Sequence, residues 1–224
     1  MNAPVPFEDR RAAGRALAEA LRDRPPAAAV VVLALPRGGV PVAAEVARAL
    51  RAPLDLLIVR KIGAPGQPEL AVAAIVEGDP PDLVVDESIR AALRVPRAWI
   101  ERQAAHELRE IARRRERYLA GRAPLPVTDA TVVLVDDGVA TGTTVRAALR
   151  ALRRRAPARV ILAVPVAPPE VIDALRADVD DLVCLARPEP FGAVGCHYVD
   201  FRQVDDDAVI AVIAALAAAG PTVP

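Results

Sequence analysis

The sequence predicts an α/β protein built on an open parallel sheet with helices on both faces, and three observations carry that prediction. Short apolar or β-branched runs alternate with helical patterns from residue 30 to residue 185. Two of the runs, Val30–Leu35, which is continuously apolar, and Thr131–Val135, which is β-branched or apolar throughout, are expected of strands buried on both faces. Each of these two ends in a glycine-containing loop that leads straight into a helical pattern. In such sheets ligands sit beyond the strand C-termini where the strand order reverses, so both loops can serve one site.

Composition narrows the function. At 224 residues the expectation is one compact domain spanning 1–224, with room for a large core. Formal net charge is zero, so there is no electrostatic footprint for nucleic acid. No apolar run reaches membrane-spanning length, and the N-terminal MNAPVPFEDRR lacks the apolar core of a signal peptide. Cys184 and Cys196 are too few for a disulfide framework or a zinc site, which fits two reduced thiols in a cytoplasmic protein. Among 29 basic residues Lys61 is the single lysine. A lone lysine in an arginine-rich chain marks a place where a compact ammonium is needed and a guanidinium fork does not fit.

Taken in order, Phe7–Arg22 has Leu17 and Leu21 at helical spacing and reads as an amphipathic helix ended by Pro25-Pro26. The strand Val30–Leu35 runs into Pro36-Arg37-Gly38-Gly39, and Pro41 sits in the first turn of a helix reaching about Leu50. Gly38 and Gly39 permit close backbone approach, and Arg37 can fork onto phosphate oxygens. Leu54–Val59 is the next strand. The segment from Arg60 to Glu69, with two Gly, two Pro and no apolar periodicity, reads as a mobile loop carrying Arg60 and Lys61. Leu70–Glu77 is a further strand, followed by a Gly78–Pro81 turn and a short Leu83–Val85 strand; nothing nearby secures a ligand role for Glu77.

Residues 86–122 form a charged helical arm. Asp86 or Ser88 caps its first helix, and Pro96 interrupts before a long helix begins. That helix has an apolar stripe of Trp99 or Ile100, Ala104, Leu108, Ile111, and Tyr118 or Leu119. Arg113–Arg117 and His106 read as solvated surface. The arm suits subunit contact, as in a homodimer, or cover over a site.

The central stretch is TVVLVDDGVATGTTV, Thr131–Val145. Strand Thr131–Val135 ends in Asp136 and Asp137, and a loop of small residues opens the next helix. Free backbone N–H groups and a helix N-terminus make that loop a ready anion site, with Thr141, Thr143 and Thr144 adding hydroxyls. The carboxylates repel a phosphate but suit sugar hydroxyls or a Mg²⁺ ion on the same ligand. Paired acids beside a phosphate cradle read as a sugar-phosphate site. Beyond it come a strand at Arg159–Val164, a loop at Pro165–Pro169, a helix at Glu170–Ala177 and a last parallel strand at Asp181–Leu185. Residues 187–207 leave the pattern and hold Phe191, Tyr198 and Phe201, either a plate for a flat ring or a small satellite core. An Ala-rich helix, Ala208–Ala218, closes the fold.

The Asp136–Thr144 stretch resembles the phosphoribosyl-diphosphate (PRPP) signature of the type I phosphoribosyltransferases, and Arg37-Gly38-Gly39 resembles their pyrophosphate loop. The resemblance implies that Asp136 and Asp137 bind the ribose hydroxyls, directly or through water-held Mg²⁺. It assigns the loop Gly138, Val139, Ala140, Thr141, Gly142, Thr143 and Thr144 to PRPP, with Ala140–Thr144 on the 5′-phosphate. It gives Arg37, Gly38 and Gly39, in part through a strained or cis peptide, to the diphosphate. Arg60 and Lys61 fall in the family's closing loop. Residues 187–207 loosely resemble its base-side hood, with Phe191 first and Tyr198 second as base contacts. Ala140 stands where 6-oxopurine enzymes carry an Asp, which argues against that substrate.

The implied activity is Mg²⁺-dependent transfer of 5-phosphoribosyl from PRPP to a nitrogenous base, releasing pyrophosphate, as in nucleotide salvage. Catalysis falls to Asp136, Asp137, Lys61 and Arg37. The rival is a PRPP- or nucleotide-responsive binding protein without turnover, although a lid and a lone lysine have little purpose there. An acyl-phosphate protein fits poorly, because its Lys would lie on another strand end rather than in a Gly/Pro-rich loop.

Overall fold

A computed structural model describes residues 5–22 and 29–219; Pro25-Pro26, expected to end the first helix, lie outside the described residues. In chain order the first elements are α1 (Arg10–Arg22), β1 (Val30–Ala34), α2 (Gly39–Leu50), β2 (Leu54–Leu56), β3 (Val59–Ala64), β4 (Gln67–Val76) and β5 (Asp82–Val85). The arm follows as α3 (Glu87–Ala92) and α4 (Arg97–Leu119). Then come β6 (Thr131–Val135), α5 (Thr143–Arg154), β7 (Arg159–Val166), α6 (Pro169–Leu175), β8 (Asp181–Ala186) and α7 (Asp206–Ala219).

The central sheet is open and all parallel, in the order β2-β1-β6-β7-β8. Its strands are buried on both sides because both faces are covered. Val32, Ala34, Val133, Val135, Ile161 and Ala163 pack with α1 and α2. The residues between them, Val31, Leu33, Val132, Leu134, Val160 and Leu162, pack with α5 and α6. This period-two split of continuous apolar runs is what a sheet between two helical layers requires. The chain leaves β1 toward β2 on one side, while β6 pairs with β1 on the other, with Ala34 opposite Val135. The order therefore reverses between β1 and β6, and the two glycine loops leave from these adjacent strand ends.

Residues 59–85 depart from expectation. Instead of a mobile loop and further parallel strands, they form a separate antiparallel sheet, β3-β4-β5. The Pro and Gly residues that suggested a loop are absorbed by the hairpin. Pro65-Gly66 makes the turn, where Gly66 has a φ of 74° that favours glycine. The register shifts on either side of Gly63, Pro68 falls outside the paired residues, and a Cβ on Gly63 would overlap the Pro68 backbone. Proline's missing N–H therefore costs no ladder bond. This sheet lies between the arm, which packs on Ile62 and Ile75, and α5, which packs on Ala74 and Val76.

In the arm Asp86 is the cap: its carboxylate accepts from the N–H groups of Ser88 and Ile89 at 3.1 and 3.0 Å. Ile100, Ala104, Ile111 and Tyr118 are buried along α4. Arg115, expected to be solvated, stands four residues after Ile111 and so falls on the inward stripe. It bonds Asp55 at 3.1 Å and Glu77 at 3.0 Å, and both acids are buried. β7 continues through Pro165 to Val166, beyond the end of its pairing with β6, and α7 begins at Asp206 rather than Ala208.

Candidate active site

The structure brings the two glycine loops into direct contact. A Cβ on Gly38 would overlap the Asp137 carboxylate, and one on Gly39 would come within 2.8 Å of the Val135 carbonyl and 3.0 Å of the Asp136 Cα. Only glycine lets these strand ends close on each other. The Pro36–Arg37 peptide is cis.

The carboxylates are enclosed. Asp136 Oδ1 accepts the Asp137 N–H at 2.9 Å. Burial, and then the neighbouring Asp137 charge, push the Asp136 carboxyl well above its usual range. Burial also raises Asp137, opposed by a bond of 2.7 Å from Arg10 Nε to Asp137 Oδ2.

Residues 138–144 turn the chain from the end of β6 into α5. Gly142 precedes α5 with a φ of 76°, a conformation that favours glycine, and turns the chain into the helix. The first turn of a helix has no internal acceptors for its N–H groups. Among the described residues, no protein acceptor takes the backbone N–H of Ala140, Thr141, Gly142, Thr143 or Thr144. The Thr141 and Thr143 hydroxyls lie 3.3 Å apart at the same turn. Gly138 and Val139 serve differently. A Cβ on Gly138 would overlap Val194, while Val139 is buried and its N–H donates to the Val166 carbonyl at 2.9 Å. Val139 therefore anchors the loop and offers no free donor.

Several expected cations are already engaged. Arg37 Nη1 lies 3.3 Å from Asp206 Oδ1, which also accepts from the Tyr118 hydroxyl at 2.7 Å; Arg117 pairs with Asp206 Oδ2 at 2.8 Å. These contacts, the Tyr118 bond foremost, hold Asp206 below the usual carboxylate range. Arg60 donates to Glu107 of the arm at 2.6 Å. Lys61 makes no ion pair among the described residues; it stands opposite Ala74 in the β3–β4 ladder, on the side turned toward α5. Glu77 is spent on Arg115 and the Ile58 N–H, with burial raising its carboxyl.

The hood requires one correction. Tyr198 presents no face to a flat ring: it is buried, with its ring 5.6 Å from Phe7 and 5.1 Å from Phe201. Its hydroxyl donates to the Asp137 carbonyl at 2.5 Å, and burial pushes its ionisation far upward. Tyr198 is thus a strut beneath the acid pair. Phe191 is half-buried, 5.0 Å from the His197 ring, and its carbonyl bonds His197 Nε2 at 2.8 Å. The satellite-core alternative describes Tyr198 and Phe201. The N-terminal segment joins it: Phe7 N–H donates to the His197 carbonyl, and Val199 N–H to the Phe7 carbonyl, both at 2.8 Å.

Arg10 and Asp206 escaped the sequence reading. Their partners lie 127 and 169 residues away in the chain, so no local pattern marks them.

Comparison with known proteins identifies the family of the chain. The model of the family described as "Phosphoribosyl transferase domain" matches residues 8–200. A curated relative, "Putative phosphoribosyl transferase Rv0571c" from Mycobacterium tuberculosis (strain ATCC 25618 / H37Rv), is 44% identical over 207 residues. That match takes in 92% of this chain but 46% of the relative, so the chain spans about half the length of the curated relatives it matches. The crystal structure of TT1426 from Thermus thermophilus is similar, with 47% identity and a TM-score of 0.79, over 92% of this chain and 97% of that one. Among the described residues no helix is long and apolar enough to cross a membrane. The chain belongs to the phosphoribosyl transferase domain family.

Proposed function

We propose that the chain transfers 5-phosphoribosyl from PRPP to a nitrogenous base, with release of pyrophosphate. The observation that carries this reading is the closure of two glycine loops around Asp136 and Asp137 at the reversal point of the sheet, beside a loop of uncommitted N–H groups. Cleavage at the ribose C1 builds positive charge on the sugar and negative charge on the departing diphosphate. Asp136 and Asp137 hold the ribose hydroxyls and face the growing positive charge. The N–H groups of 140–144 hold the 5′-phosphate. Backbone N–H groups of the cis-linked Arg37 and of Gly38 meet the diphosphate, with Lys61 as the uncommitted cation for the leaving group; the Gly39 N–H already donates to the Leu35 carbonyl at 3.1 Å, so Gly39 serves by letting the strand ends close.

The donor set fits Mg²⁺. Among the described residues there is no cluster of three or more metal-ligating side chains, but two adjacent carboxylates suit an ion that takes its remaining ligands from water and substrate phosphates. Bound there, Mg²⁺ supplies charge neutralisation for the diphosphate. The reading sets the enzyme in the cytoplasm, where thiols such as Cys184 and Cys196 stay reduced, and in nucleotide salvage, acting on small molecules without nucleic acid. Phe191 is the hood residue left for base contact.

The engagement of Arg37 by Asp206 and of Arg60 by Glu107 favours a second reading, PRPP binding without turnover. Pyrophosphate release from Mg²⁺–PRPP across purine, pyrimidine and pyridine bases decides between the two. Release with one base supports transfer and names the acceptor. Binding of PRPP with no release from any base supports the sensor. Absence of binding removes both.

A further inference from the structure

We propose that Arg10 is the positioning residue of the PRPP site, fixing the Asp137 carboxylate in the orientation that receives the ribose; this rests on the PRPP reading above. Burial disfavours a charge on the Asp137 carboxyl, and Arg10 supplies the cation that holds the charged form in place. Its Nε donates to Asp137 Oδ2 at 2.7 Å with both side chains largely buried, at 11% and 14% exposure.

Arg10 is itself held at two further points. Its Nη1 donates to the Arg202 carbonyl at 2.8 Å, and its guanidinium carbon stands 3.9 Å from the centre of the Phe201 ring. A planar fork anchored on a ring face and a carbonyl has little rotational freedom left, so the geometry of the hood passes directly to the carboxylate. The opposite wall is Gly38, and the Asp137 main chain is pinned by Tyr198. The acid is thereby fixed from the N-terminal helix, the hood and the pyrophosphate loop together.

The test is calorimetric binding of Mg²⁺–PRPP to wild type, Arg10→Gln, Arg10→Lys and Phe201→Leu, with Tm measured on each. The expected result is at least tenfold weaker binding for Arg10→Gln and partial recovery for Arg10→Lys, which keeps the charge but not the fork. Phe201→Leu, which keeps Arg10 and loosens its platform, falls between wild type and Arg10→Gln. A merely structural role would lower Tm and the folded fraction while the folded protein kept its Kd. Unchanged Kd in Arg10→Gln and Phe201→Leu overturns the proposal, and tighter binding does too, since Arg10 would then be a plug. If Arg10→Gln does not fold, Phe201→Leu alone decides by the same criterion. Wild type that binds no PRPP overturns the PRPP reading, and the proposal with it.

Discussion

The arginine–carboxylate clusters around Arg115 and around Arg10 are both buried, and they do opposite things. At Asp55, Glu77 and Arg115 every strong acceptor is spoken for. Asp55 takes the N–H groups of Leu56 and Leu125 as well as Arg115, and Glu77 takes the Ile58 N–H and Arg115. That cluster fastens the arm to the edge of the sheet. At Asp136, Asp137 and Arg10 the acids stand at the reversal point of the sheet, walled by glycines and adjoining five uncommitted N–H groups. Burial and shifted ionisation are common to both clusters, so neither property identifies a site. What separates them is whether hydrogen-bonding capacity is left over, and where in the fold it is left.

Substitutions separate the two clusters. The largest effect is expected for Asp137→Asn: pyrophosphate release from PRPP per folded molecule falls by about 10²-fold or more, and Tm falls too because Arg10 loses its buried counter-charge. Lys61→Ala should approach the same loss, read in the same assay. Arg115→Met should do the reverse, costing about 3–5 kcal/mol in urea unfolding because two buried carboxylates lose their cation, with the PRPP Kd of the folded protein unchanged. Gly38→Ala tests how tightly the loops must close. Its methyl group displaces the Asp137 carboxylate, and PRPP binding should weaken about 10- to 100-fold. Asp86→Ala removes the cap of α3, lowering stability by about 1 kcal/mol and leaving PRPP binding alone.

The smallest effect sharpens the contrast through pH. Burial raises Glu77 above its ordinary value of 4.5 despite Arg115. In the window above 4.5 the folded state binds more protons than the unfolded one, so the Glu77 contribution is fully present below that pH. It is lost as pH rises through the folded value. The stability of wild type minus that of Glu77→Gln should therefore fall with rising pH across this window and then level off. A difference that grows with pH in urea melts would contradict the assigned burial.

Legibility followed the range of the interaction. The central sheet was readable because Val30–Leu35 and Thr131–Val135 are runs of apolar or β-branched residues, and burial on both faces leaves that mark in a single strand. The two loops were readable because glycine, paired acids and threonines act through their immediate neighbours. The β3–β4 hairpin was not, since Pro65, Gly66 and Pro68 look the same in a tight turn and bulge as in a mobile loop. Arg115 could have been placed by helical spacing from Ile111, but its charge argued for solvent more loudly. Tyr198 had the composition of a stacking plate, and only its contacts with Phe7 and Asp137 make it a strut. Arg10 and Asp206 had no local signal at all.

The joining of Phe7 to Val199, and of Arg10 to the Arg202 carbonyl 192 residues later, has a consequence for synthesis on the ribosome. Chains fold as they emerge, and contacts distant in sequence wait for their later partner. Arg10 emerges early and must wait for Asp137; the platform that steadies it, Phe201, and the acid that takes Arg37, Asp206, come later still. The parallel sheet can assemble by the time β8 is made, with its acid pair not yet clamped. Competence for the ligand is therefore a late event in folding, and a released chain truncated between β8 and Phe201 should hold the sheet yet fail to retain PRPP.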